Sequence, residues 1–111
     1  MLNHLKSLFF KQRNSISISE LEQLLDSHAP LQLIDVRTTK EYRQGHIKQA
    51  INIPLTQLAS ATFRAEQPIY LICQSGRRSK MAQQELNKQG ITATNITGGM
   101  SKWTRKTTGG H

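Results

Sequence analysis

The sequence has a single cysteine, Cys73, in 111 residues. One thiol cannot close an intramolecular disulfide, so folding does not depend on an oxidising compartment, and a Cys-x-x-Cys redox cycle within the chain is excluded. Any oxidised state of Cys73 has to be resolved by another molecule. Acidic residues are scarce, 7 against 15 Lys and Arg, for a formal net charge of +8. Aromatic residues make up 5% of the chain. They are not interleaved with the basic residues in any recognition motif, so nucleic-acid binding is not expected. The four histidines, His4, His28, His46 and His111, lack ligand spacing, and neither a metal nor a cofactor is expected. Long apolar runs are also missing: the N-terminal stretch has no signal-peptide core, still less the roughly 20 apolar residues of a membrane span. A cytoplasmic location is the expectation.

The length suits one domain with one core. The expected division is a basic segment over residues 1–13, a domain over 14–106 and a flexible tail over 107–111. In the first segment Leu2, Leu5, Leu8 and Phe9 can share a helical face among basic residues. Contact with a membrane surface is one reading of it, and packing on the chain's own domain, or fraying, is preferred. The positive charge is uneven: residues 73–111 carry seven basic residues against one acidic. That segment would concentrate small anions or attract an acidic partner.

Periodicity predicts alternating strands and helices. Ile16 and Ile18 alternate with serines as a short strand; Ser19 and Glu22 have capping-box spacing ahead of a helix carrying Leu21, Leu24 and Leu25. Leu31 to Val36 reads as a strand covered on both faces. Thr38 then caps a short helix over Lys40 to Gln44, ended by Gly45, whose missing side chain tolerates a left-handed conformation. Ala50 to Ile53 is a brief strand stopped by Pro54, and Leu55, Leu58 and Ala59 suggest a short helix. Pro68 to Cys73 is a second buried strand. A helix over Ser79 to Gln89 follows, with Met81, Ala82 and Leu86 at helical spacing and Gly90 as its cap. Ile91 to Ile96 is the last strand, and Gly98-Gly99 leads into a terminal helix with Met100 and Trp103. This order predicts an α/β fold with a mostly parallel sheet of about five strands and helices on both faces. In such sheets ligands gather beyond the carboxyl ends of the strands, which is where Cys73, Asp35 and Arg37 fall.

The candidate site is the loop Cys73-Gln74-Ser75-Gly76-Arg77-Arg78-Ser79. A thiol leaving a strand and facing a helix start meets free backbone N–H groups and the positive end of the helix dipole. Thiols so placed ionise at about pH 3.5 to 7.5, against about 8.5 when free, and Arg77 and Arg78 push the same way. Gly76 allows a backbone angle that other residues resist. Ser75 either donates to the sulfur or satisfies the loop backbone. Asp35, Arg37, Glu41 and His46 form a tempting charged set, for which a structural network tying a strand end to a helix is the preferred reading. Trp103 is read as a core or pocket-wall residue.

Ile34-Asp35-Val36-Arg37, Glu41-Tyr42, Gly45-His46-Ile47, Ala50 and Asn52-Ile53-Pro54, then the Cys73 to Ser79 loop, then Gly98-Gly99-Met100 with Trp103, together resemble the rhodanese-like sulfurtransferase domains over Asn14 to Lys106. The resemblance implies a persulfide on Cys73, formed by attack of the thiolate on the outer sulfur of thiosulfate or a related donor. The sulfur then passes to cyanide or another thiol, on a small molecule or a protein. Arg77 and Arg78 are suited to hold the anionic donor, one facing substrate and the other bracing the loop, in an order left open. Two rivals stand beside this reading. A phosphatase or arsenate reductase has five residues between cysteine and arginine, whereas Cys73 and Arg78 are separated by four, a tighter cradle. A binding or sulfur-presenting module would keep the fold without turnover.

Overall fold

The computed structural model describes residues 12–64 and 66–109. The expected amphipathic segment over residues 1–13 falls almost wholly outside them. Strand β1 (Ser15–Ile16) leads into helix α1 (Ile18–Asp26). Two Ser-x-x-Glu spacings compete for the cap, and the helix uses the earlier: the Ser17 hydroxyl accepts from the Glu20 N–H, and the Glu20 carboxylate accepts from the Ser17 N–H. The expected cap at Ser19 is corrected accordingly. Starting at Ile18 puts that side chain, with Leu21 and Leu25, on the buried face. Glu22 is released to pair with Arg105 at 3.2 Å.

Strands β2 (Gln32–Asp35), β3 (Ala50–Asn52), β4 (Ile69–Ile72) and β5 (Ala93–Ile96) complete one sheet in the order β1-β5-β4-β2-β3, with every pairing parallel. Helix α2 (Thr39–Gln44) follows β2, and α3 (Arg77–Lys88) follows β4. Two short 3₁₀ segments, Leu55–Ser60 and Gly99–Lys102, stand where short helices were expected. Gly45 ends α2 with φ +157° and ψ +129°, outside the left-handed helical region that glycine tolerates. The Gly45 carbonyl is instead turned to accept from Arg37 Nη2.

Side chains along a strand alternate between faces, and this divides the core in two. Leu33 of β2 and Ile72 of β4 join Leu21 and Leu25 of α1 on one face; Ile34, Ile69 and Leu71 join Leu58, Ala82 and Leu86 on the other. Each large aliphatic side chain so buried contributes about 1.5–3 kcal/mol. Cys73 shares its parity with Ile69 and Leu71, so strand alternation itself aims the thiol toward the α3 side. Met81, expected in the apolar stripe of α3, is exposed; Ser79, Ala82 and Leu86 form the buried face instead.

Residues 107–109, expected to be a flexible tail, are docked. Thr108 makes an antiparallel bridge with His46, its N–H donating at 2.9 Å and its carbonyl accepting at 3.0 Å. Arg105 anchors the segment to Asp26 and Glu22 of α1. Gly110 and His111 lie outside the described residues. Among the described residues, no helix is long and apolar enough to cross a membrane.

Candidate active site

Strand β4 ends at Ile72 and releases Cys73 into the loop that opens α3. Helix α3 begins two residues earlier than its apolar pattern suggests, because Gly76 takes a left-handed conformation (φ +97°) and turns the chain at once into the helix. A Cβ there would lie 3.2 Å from the Gly98 nitrogen. Glycine at the cap brings no side chain to accept from the first free N–H groups of α3. The Cys73 sulfur takes that place: the N–H of Gly76 donates to Sγ at 3.0 Å and that of Ser79 at 3.3 Å. The Ser79 hydroxyl lies 3.3 Å from the same sulfur.

The loop is held from behind by the closing turn. The N–H of Met100 donates to the Cys73 carbonyl at 2.8 Å and that of Ser101 to the Gln74 carbonyl at 2.9 Å. This approach needs glycine at 99, where φ is +56° and a Cβ would sit 2.2 Å from the Cys73 carbonyl oxygen.

Burial alone would push the Cys73 thiol up. The Ser79 hydroxyl and the backbone N–H groups of Ser79, Gly76 and Ser75 outweigh it, and the thiol ends below its ordinary value. The sulfur is more enclosed than the sequence suggests. Cys73 is 1% exposed, while Gln74, Ser75 and Arg77 form the exposed rim of the loop. The donors that stabilise the anion are also the atoms that cover it.

The two arginines divide their work. Arg78 forms a two-pronged pair with Glu41 of α2, Nη1 to Oε1 at 2.6 Å and Nη2 to Oε2 at 2.8 Å. That pairing, against a smaller opposing effect of burial and with help from Thr38, holds the Glu41 carboxyl down at about 2. Arg77 is exposed, and among the described residues it has neither an ion-pair nor a hydrogen-bond partner. Arg78 is thus the brace, and Arg77 is free to meet a ligand.

Asp35 and Arg37 lie at the end of β2, next to β4, but do not touch the sulfur. Arg37 Nε and Nη2 donate to the Asp35 carboxylate at 3.0 and 2.8 Å, and Nη2 also donates to the Gly45 carbonyl at 2.8 Å. Both residues are buried. This is the network tying strand to helix. His46 belongs to it at one remove, stacked on Tyr42 at 3.6 Å with Nδ1 on the Tyr42 carbonyl oxygen. Trp103 packs against the α1 side of the core and donates to the Lys106 carbonyl. Among the described residues no group of His, Cys, Asp and Glu is arranged to hold a metal. Asn95 of β5, which no motif marks, reaches the Ser79 hydroxyl with its side chain.

A family model described as the rhodanese-like domain matches residues 17–106. The Bacillus subtilis protein YrkF, provisionally named a sulfur carrier protein, is 39% identical over 95 residues, covering 83% of this chain. This chain spans 51% of that relative. The thiosulfate sulfurtransferase PspE of Escherichia coli is 35% identical over 71 residues, 60% of this chain and 68% of the relative. A rhodanese-like domain protein from Staphylococcus aureus superposes with a TM-score of 0.77 at 34% identity, covering 83% of this chain and 92% of that one.

Proposed function

The chain belongs to the rhodanese-like domain family, and on that premise we propose that it is a cytoplasmic sulfurtransferase that moves a sulfane sulfur through a persulfide on Cys73. The observation that carries the proposal is the convergence of the Gly76 and Ser79 N–H groups on Sγ at the start of α3. Donors set in advance around a sulfur favour the thiolate, and they favour equally the negative charge that returns to it when the outer sulfur leaves. In the first step the Cys73 thiolate attacks the outer sulfur of thiosulfate or a persulfide. A new S–S bond forms, the donor's S–S bond breaks, and sulfite or a thiolate departs with the electron pair. In the second step cyanide or an acceptor thiolate attacks the outer sulfur of the persulfide, and Cys73 is regenerated as the thiolate. Arg77, on the rim, meets the donor's anionic oxygens. With Cys73 almost covered, the loop favours donors that present a projecting terminal sulfur.

Engagement of Arg78 with Glu41 counts against phosphoryl chemistry, in which the loop arginine must grip the transferred group. The covered sulfur and the sulfur carrier among the relatives favour one second reading, a module that accepts a sulfur and presents it to a single partner. Intact mass after incubation with thiosulfate, then with cyanide, tests the proposal. The expected result is one sulfur atom gained and lost on the wild type, repeated turnover to thiocyanate with both present, and neither on Cys73→Ser. Loading without turnover would select the presenting module, and no loading would overturn both.

A further inference from the structure

Among the described residues Ser79 is the one whose side chain hydrogen-bonds the sulfur, and its hydroxyl has a single proton. Two neighbours compete for it: Sγ of Cys73 at 3.3 Å and, closer, the amide of Asn95 on β5. With the Asn95 oxygen turned toward Ser79, the proton goes to Asn95, and the hydroxyl can only accept from a protonated thiol. With the amide turned over, Nδ2 donates to the Ser79 oxygen and frees the proton for the thiolate. An amide carries an acceptor and a donor on one planar group, so it serves in each arrangement. Ser79 is fully buried, and Asn95 is partly buried.

We propose that Asn95 is a positioning residue for Cys73, its reversible amide letting Ser79 follow the ionisation of the sulfur, accepting from the thiol and donating to the thiolate. The inference rests on reading Cys73 as the nucleophile and adds a residue to its site. The charged group that faces the sulfur from α3 is Arg78, which stays paired with Glu41 from α2; Asp35 is neutralised by Arg37 at the end of β2. Neither pair contacts Ser79 or Asn95, so the Ser79 hydroxyl is the adjustable donor.

The test is the pH profile of Cys73 alkylation by iodoacetamide, which needs no sulfur donor and therefore reads the thiol even if sulfur transfer fails. In Asn95→Asp the carboxylate only accepts, so the hydroxyl is locked away from the sulfur, and the apparent thiol pKa should rise by about one unit, a tenfold loss of rate in the acidic limb. In the Ser79→Ala background the same substitution should shift it by less than half as much, because the route through the hydroxyl is gone. Asn95→Ala, which removes the competing acceptor and carries no charge, should not raise it; circular dichroism confirms that each variant is folded. Equal shifts for Asn95→Asp in both backgrounds, or a rise in Asn95→Ala matching that in Asn95→Asp, would overturn the proposal.

Discussion

Two polar centres stand side by side at the carboxyl ends of neighbouring parallel strands, and they differ in what is left unsatisfied. At the end of β2, Asp35 and Arg37 are buried and paired with each other, and the guanidinium also donates to the Gly45 carbonyl. At the end of β4, amide donors converge on one sulfur, and the loop rim leaves Arg77 unpaired among the described residues. A closed network fixes geometry, whereas an anion held by donors with a free cation beside it can accept a new bond. The Arg78–Glu41 pair joins the two, bracing the reactive loop against the helix that the inert network positions.

The sharpest way to break this comparison is to open the closed centre. Asp35→Ala leaves the Arg37 guanidinium buried without its counter-ion and should destabilise the fold by about 3–5 kcal/mol in urea unfolding. The thiol titration of the molecules still folded should be unchanged. A shift there would mean the centres are one.

Next in size, Gly99→Ala forces a Cβ against the Cys73 carbonyl at a left-handed position. A loss of about 2–3 kcal/mol is expected, together with slower alkylation of Cys73, as the Met100 brace moves off the loop. The arginines should then separate by readout. Arg77→Ala is expected to raise KM for thiosulfate about tenfold, with stability within about 0.5 kcal/mol of wild type. Arg78→Ala should lower kcat with less effect on KM, because it loosens the loop and removes no ligand contact. Equal KM effects would contradict the division.

The smallest effect is with acid. The Glu41 carboxyl falls from its usual 4.5 to about 2 in the folded chain. The Arg78 tie is therefore fully present above pH 4.5 and is lost as pH falls toward 2. The pair is about one-third exposed, so less than about 1 kcal/mol is at stake. Wild type and Glu41→Gln should converge in stability over that range.

Much of this was legible in the chain. The strands announce themselves by continuous apolar runs, and the parity of Ile69, Leu71 and Cys73 already fixes the face that receives the thiol. The Thr38 cap was named from the sequence, and a structural network was the preferred of two readings for Asp35 and Arg37. What escaped depends on distance between segments. Two Ser-x-x-Glu frames are equal on paper, and only burial of Ile18 decides between them. Nothing local tells Arg77 from Arg78, because the partner, Glu41, arrives from another helix. The docking of Thr108 on His46 and the reach of Asn95 to Ser79 join residues with no shared motif. The enclosure of Cys73 was also hidden, since the loop's curvature follows from the closing turn at Gly99.

The most direct test is a difference titration of the Cys73 thiolate by ultraviolet absorbance, wild type against Cys73→Ser. A midpoint below that of an ordinary free thiol is the predicted result. A midpoint at or above that value would mean that the ring of amide donors does not hold an anion, and would contradict the account of Cys73 as the sulfur carrier.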